Sequence, residues 1–428
     1  MTYFSSARGN PRGVVALPIR VIENTSTPIH RRQDGVPLRS IWTGTYVVNV
    51  GVGEPAQPMA LELDTLWAYT WLNPNCTTTG SAERDLCRKT PQYDPRKSLH
   101  AIDRPAWTKT RLDYDLYTSM EGLFYTDTLR VGPDMVERYS FIVNSESRNL
   151  ALGRLGLGMW NMSSPNLLEK LYEQSFIDSK AFSLDIRSVD EQGSLVLGGL
   201  DTKKYKCKLQ KIPLNSEFRL ELTDIGFSAP NQDYKRVPMD ITVTMAPDAA
   251  TVLSTFPESL FHTIGQNFPR TTLPQKSQGQ VYYTIPCDDI PEGTLDFTFI
   301  KTTRISVPLA DFVLYEPSIG QCILGMAPMG QSGELFHFGL GTLVLQSIYL
   351  VVDVDNKNMW IGQSDNCGSS VVQMKKGEDS SLQVEGCSCK GPKSKPKPKP
   401  KPGAAYSLSP HEFLGAGLFI VAVSMTNL

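Results

Sequence analysis

Histidine is scarce, with five residues in a chain of 428. There is no HExxH and no paired CxxC, so metal-centred chemistry has little to build on, and neither a metal nor another cofactor is expected. No G-x-S-x-G occurs, which leaves a serine-nucleophile hydrolase poorly supported. Net charge is only -2 at pH 7, so the chain as a whole offers no electrostatic reason to expect a nucleic-acid partner. Composition also excludes a collagen, a disordered chain and a multi-span membrane protein. What is present is 40% hydrophobic and 20% charged residue in 47.5 kDa. That is enough apolar material for one large core or two, since single cores stop growing near about 250–300 residues.

Charge is unevenly placed. Residues 390–428 hold six lysines and one acid, Glu412, which leaves a mildly acidic body. Eight cysteines (Cys76, Cys87, Cys207, Cys287, Cys322, Cys367, Cys387 and Cys389) without metal spacing favour disulfides and an oxidising compartment. Sequons at Asn24, Asn75 and Asn161 lean the same way, towards a secreted or cell-surface glycoprotein. Residues 1–20 lack the apolar run of a signal peptide, so the expectation is that the true start lies upstream of this sequence. His30-Arg31-Arg32 reads either as a dibasic processing site or as a solvated basic cluster. Near the other end, Lys393–Pro402 alternates Lys and Pro and reads as an extended spacer. Gly403-Ala404-Ala405, a polar stretch and the apolar Phe413–Leu428 then match a GPI-attachment signal, with a retained membrane tail as the rival. The expected layout is an N-terminal prosegment-like or disordered segment over 1–40, β-lobes over 41–190 and 191–366, a Lys/Pro-rich stalk over 367–403 and an anchor signal over 404–428.

The body reads as mostly strand. Tyr46–Val52, Met59–Asp64, Ser140–Val143, Ser194–Leu197, Thr294–Ile300 and Ile348–Val354 are short, β-branched or aromatic, and bounded by Gly, Pro, Asn and Asp. Helical stretches are few, with Asn166–Gln174 and Pro257–Ile264 the best candidates. Met59, Leu61 and Leu63 alternate with Ala60 and Glu62; Ile241, Val243 and Met245 alternate with Thr242 and Thr244. Both alternating strands end in an acid, Asp64-Thr65-Leu66 and Asp248-Ala249-Ala250, and the acids stand 184 residues apart. One acid delivered per half suggests a duplicated domain with the acids meeting at its seam. Two carboxyls held about 3 Å apart cannot both ionise at neutral pH, so they share a proton. One can then take a proton from a water attacking a peptide carbonyl while the other stabilises the developing oxyanion. Taken alone, the acids read more readily as ordinary strand-end aspartates capping turns.

Their surroundings are more specific. Asp64-Thr65-Leu66-Trp67-Ala68-Tyr69-Thr70-Trp71 resembles the D-T-G-S-S-x-x-W segment of the pepsin-like aspartic proteases, for which such a dyad is the standing example. Asp248-Ala249-Ala250-Thr251, running to Phe256-Pro257, resembles their second D-[ST]-G-[TS] segment. Tyr93–Ser98, Gly153–Gly158 (GRLGLG), Gly198–Asp201 and Leu340-Gly341 with Ser347 and Tyr349 resemble four further family motifs in the family's order, over most of residues 45–365. The resemblance, to the secreted or cell-surface fungal type, implies an all-β bilobal fold with a peptide-binding cleft between two β-barrel-like lobes. It implies Asp64 and Asp248 as catalytic acids, Thr65 and Thr251 as their supports, and a polypeptide substrate or peptide ligand for a monomer. It also implies disulfides Cys76–Cys87 and Cys287–Cys322, with Cys207–Cys367 expected as a third. Tyr114, or failing that Tyr117, falls where the family has its flap tyrosine, with Trp71 beneath it; ordinary strand aromatics are the alternative.

Several positions depart from the pattern. Leu66 and Ala250 replace the motif glycines, where a Cβ can cost about 1–2 kcal/mol if φ is positive. Ala249 lacks the hydroxyl that would hydrogen-bond across the lobes, Trp67 replaces a serine, Pro247 precedes the second acid, and Thr342 replaces a late acidic residue. Activity is therefore expected to be weak or absent. An endopeptidase and a non-catalytic peptide- or glycan-binding protein remain the two readings.

Overall fold

A computed structural model describes residues 12–23, 30–31, 37–38, 44–79, 84–103, 109–114, 118–148, 150–159, 166–188, 191–214, 218–277, 280–316, 319–329, 338–377 and 385–387. The stalk repeat, the apolar tail, Asn24, Asn161 and Tyr117 lie outside the described residues. No helix among the described residues is long and apolar enough to cross a membrane.

Most strands are short and bounded by turn-forming Gly, Pro, Asn and Asp, with Ser119–Val131 and Asp134–Arg148 the long exceptions. A 14-stranded sheet runs from Gln210–Pro213 through Asn358–Gln363, Ile348–Asp353, Ala181–Asp185, Gly193–Leu197 and Val15–Glu23 into the first lobe. There it continues through Gly44–Val52, Gln57–Asp64, Gly153–Gly156, Trp71–Leu72, Asp134–Arg148 and Ser119–Val131. The second lobe is built on a six-stranded sheet around Leu220–Ser228, flanked by Thr294–Phe299 and by Val243–Pro247. Buried aliphatic and aromatic side chains from Val15 to Phe297 and Ile361 form one apolar cluster through both.

The duplication is visible in the pairing. In the first lobe Gln57–Asp64 runs parallel to Gly153–Gly156, with Asp64 opposite Gly156, and Trp71 pairs in parallel with Ile142. In the second, Val243–Pro247 runs parallel to Gly339–Leu340, with Pro247 opposite Leu340, and Ser254 pairs in parallel with Met326. Asp64 thus ends a strand, and Asp248 directly follows one, each flanked by a parallel neighbour from far along the chain.

Both predicted helices form. Leu167–Glu173 carries a reciprocal capping box between Asn166 and Glu169. Glu258–Asn267 buries Leu260, Phe261 and Ile264 on one face. Some boundaries differ. Ile241 is 59% exposed, and its strand begins only at Val243. Val15–Glu23, inside the segment expected to be a prosegment or disordered, is a nine-residue strand pairing with both Gly193–Leu197 and Gly44–Val52. Its Val15, Leu17 and Ile19 are buried, so this alternating run supplies core.

The third disulfide is Cys367–Cys387, not Cys207–Cys367. Cys387 lies alongside residues 205–207, donating its N–H to the Tyr205 carbonyl at 2.7 Å and accepting that of Cys207 at 3.1 Å, while the Cys367 N–H donates to the Lys203 carbonyl. Cys207 is disulfide-bonded to a partner outside the described residues. The implied pairs Cys76–Cys87 and Cys287–Cys322 are both present. Val371–Gln373 pairs with Gly199–Asp201, so residues expected in the stalk belong to the folded body.

A buried acid in the central sheet makes stability depend on pH. Asp185 ends the strand Ala181–Asp185, paired with Arg187 at 2.8 Å. Burial pushes its carboxyl up to about 6, with Arg187 pulling the other way. Asp64 and Asp353 are also raised by burial. In the window between the unfolded value and about 6 the native state binds more protons than the unfolded chain, so stability is present at the acid end and lost as pH rises through 6. A higher melting temperature at pH 4.5 than at pH 7 is expected, with a flatter dependence in Asp185→Asn; a melting temperature that rises with pH over that range would contradict it.

Candidate active site

Two glycines let two chain segments meet at the first acid. A Cβ on Gly158 would run into the Leu66 carbonyl, and one on Gly156 would lie 2.5 Å from the Ala68 backbone. Gly153–Gly156 therefore lies directly against the loop after Asp64, and the Leu157 N–H closes on the Asp64 carbonyl at 2.8 Å. In the second lobe the Asp248 N–H donates to the Leu340 carbonyl at 3.0 Å, and the Thr342 N–H donates to the Thr251 carbonyl at 2.8 Å.

The carboxylates are held from the backbone. Asp64 Oδ1 accepts the N–H groups of Leu66 at 3.0 Å and Trp67 at 2.9 Å. Asp248 Oδ1 accepts the Ala250 N–H at 3.0 Å. Leu66 and Ala250 therefore deliver the backbone donors expected of glycines. Neither adopts positive φ, so the feared backbone strain is absent.

The seam is one-sided. Thr65 Oγ1 donates to the Pro247 carbonyl at 2.7 Å and accepts the Ala249 N–H at 3.0 Å. Ala249, the equivalent position in the other half, has no hydroxyl to return the grip. Pro247 does no harm to its sheet, because it is the last residue of its strand and offers its carbonyl to Thr65. Thr251 is exposed and contributes its backbone carbonyl, while Thr342 is buried.

Over the first acid stands an aromatic group. The Tyr114 N–H donates to the Thr118 carbonyl at 2.9 Å, closing the hairpin between Thr110–Asp113 and Ser119–Val131. The indole N–H of Trp71 donates to the Tyr114 hydroxyl at 2.9 Å, and Trp67 meets the Tyr114 ring edge-on at 5.9 Å. Asn75 sits in a turn, its side-chain oxygen accepting from the Thr77 N–H and hydroxyl.

One residue at the site was not foreseen. Arg154, the second residue of GRLGLG, is opposite Glu62 in the parallel register and donates Nε–H to Glu62 Oε2 at 2.8 Å. Its Nη1 donates to Asp64 Oδ2 at 3.4 Å, and its guanidinium carbon lies 4.2 Å from the Tyr114 ring centroid. Burial pushes the Asp64 carboxyl up, Arg154 and the Trp67 N–H pull it down, and the charge of Asp248 pushes it up again. Burial works against the Arg154 charge, but Glu62, Tyr114, Asp64 and Asp248 together hold its pKa above the ordinary value. The signal for Arg154 lay in strand alternation: residues 62 and 64 share a face, as do 154 and 156.

Comparison with known proteins bears on the whole body of the chain. The family model for eukaryotic aspartyl protease matches residues 45–364. The chain is 25% identical over 366 residues to the probable aspartic-type endopeptidase opsB of Aspergillus oryzae, covering 78% of this chain and 72% of that one. It is 25% identical over 377 residues to candidapepsin of Candida tropicalis, covering 84% and 90% respectively, and 27% identical over 329 residues to candidapepsin-2 of Candida parapsilosis, covering 74% and 76%. These fungal relatives and the disulfides point to an extracellular setting.

Proposed function

Since the chain belongs to the eukaryotic aspartyl protease family, we propose that it presents a polypeptide-binding cleft in which water-mediated peptide hydrolysis between Asp64 and Asp248 is impaired. The supporting observation is the seam itself. Two symmetry-related strand ends each carry an acid whose Oδ1 accepts a backbone N–H from two residues on, and Thr65 ties one end to the other. In the reaction so supported, an ionised carboxylate takes a proton from water as the water oxygen bonds to the peptide carbonyl carbon. The second carboxyl gives its proton to the carbonyl oxygen. The resulting gem-diol collapses with cleavage of the C–N bond, and the leaving nitrogen takes up a proton.

Impairment follows from the missing Ala249 hydroxyl and from the cation on Asp64. Placement errors of an ångström can cost about 100-fold. The full chain, incubated with denatured serum albumin at pH 3–6, is expected to cleave at least about 100-fold more slowly than an unimpaired aspartic protease. Asp64→Asn should remove what cleavage there is. A rate matching the unimpaired enzyme would overturn the reading, as would failure of the parent and of the Glu62→Leu/Arg154→Leu variant alike to bind a hydroxyl-bearing peptide isostere of the pepstatin type. Complete inactivity with isostere binding retained favours the second reading, a non-catalytic peptide- or glycan-binding protein, for which the Arg154–Asp64 contact is the specific support. The Lys/Pro spacer and apolar tail support display of a monomer at the cell surface through a GPI anchor. Release by a phosphatidylinositol-specific phospholipase would test that part.

A further inference from the structure

Glu62 and Asp64 project to one face of their strand, while Leu61 and Leu63 are fully buried in the core on the other. Arg154 and Gly156 do the same on the parallel strand beside it, with Leu155 in the core. Strand geometry therefore aims Glu62, Asp64 and Arg154 at the same side, under Tyr114. Asp64 has two carboxylate oxygens. Oδ1 is spent on the Leu66 and Trp67 N–H groups, and Oδ2 takes the Arg154 guanidinium. The guanidinium is fixed from three sides, by Glu62 at 2.8 Å, by Asp64 at 3.4 Å and by the Tyr114 ring above it. Arg154 and Glu62 retain only 10% and 15% of their side-chain exposure.

We propose that Arg154 is a built-in inhibitory counter-ion, whose guanidinium takes the place at Asp64 of the proton that the two acids would otherwise share. This rests on the reading of Asp64 and Asp248 as a dyad and adds the cause of its arrest. Two like charges at a seam need one positive charge between them. In a working pair a mobile proton supplies it and moves to the substrate during the reaction. A guanidinium supplies the charge without being able to give up a proton at any acid pH. It also occupies the space between Asp64 and the Tyr114 ring. Glu62 is the second half of the device, because it balances a charge that burial alone would make unfavourable.

The test removes the pair together. Full-length parent, Glu62→Leu/Arg154→Leu, Arg154→Lys and Glu62→Leu/Arg154→Leu/Asp64→Asn are compared for cleavage of denatured serum albumin between pH 2.5 and 7, and for binding of a pepstatin-type isostere. The Leu/Leu variant is expected to gain at least about 100-fold in cleavage, the size of one restored proton-transfer function. Its rate should trace a bell in the acid range, as a pair holding one proton requires, and its isostere binding should tighten. Arg154→Lys keeps the charge and should stay idle, and the triple variant should lose the gain. If Leu/Leu fails to fold, Glu62→Gln/Arg154→Met is read by the same criteria. A folded pair variant that binds the isostere but remains as slow as the parent overturns the inhibitory role and leaves the peptide-cleft reading standing. A parent already as fast as the pair variant overturns it as well. If no variant binds the isostere, the cleft reading itself fails, and the inhibitory role with it.

Discussion

Arg154→Leu alone is expected to destabilise the protein by about 3–5 kcal/mol, and Glu62→Leu/Arg154→Leu to be about neutral. Removing only the cation leaves Glu62 and Asp64 desolvated beside each other without a positive charge, under an aromatic lid. Removing the Glu62–Arg154 pair replaces two desolvated ions by apolar volume beside Trp71 and Tyr114, both part of or packed against an apolar cluster. Urea midpoints at pH 7 read the difference, and the indoles of Trp67 and Trp71 report from the site. A single variant as stable as the double would mean that the ion pair is not desolvated, and the electrostatic account of the site would fall with it.

Much of this arrangement could be read from residues. The strands before the two acids alternate, their neighbours are turn formers, and glycines recur where chains must touch, so the strand ends were legible. Thr65 was legible as the surviving hydroxyl of the seam, and Ala249 as the missing one. The Arg154 contact was not. Within GRLGLG it occupies a position that the motif leaves open, and the contact depends on a parallel pairing across some ninety residues of sequence. A charged residue in a strand ordinarily reads as the solvated face, so Glu62 carries no signal of its own in the sequence. Only the register, which sets Arg154 opposite Glu62, turns two surface-looking charges into a buried pair. The third disulfide was illegible for a similar reason. Cys387 follows the last clear strand, and only its backbone bonds to residues 205 and 207 bring it to Cys367. Val15–Glu23 was missed because its apolar alternation is interrupted by Pro18 and Arg20, both exposed and both compatible with the outer face of a strand.

The other large effect is expected at the seam. Thr65 is fully buried, and its hydroxyl joins the two halves by donating to the Pro247 carbonyl and accepting the Ala249 N–H. Thr65→Val keeps the shape of the side chain and removes both bonds. A buried donor and a buried acceptor then lack partners at about 1–3 kcal/mol each, so a loss of about 2–6 kcal/mol is expected. Thr65→Ser, which keeps the hydroxyl, should lose only the packing of one methyl, about 1 kcal/mol. Because the bonds hold the Asp248 strand end against the Asp64 strand end, the valine variant should also lose the cleavage that the Leu/Leu exchange at positions 62 and 154 restores, when the two are combined. Urea unfolding and the albumin assay measure the two effects separately. Should Thr65→Val unfold within about 0.5 kcal/mol of the parent, far below what an orphaned buried pair costs, the lobes are held by their shared sheet, and the hydroxyl bridge is incidental to both stability and alignment of the acids.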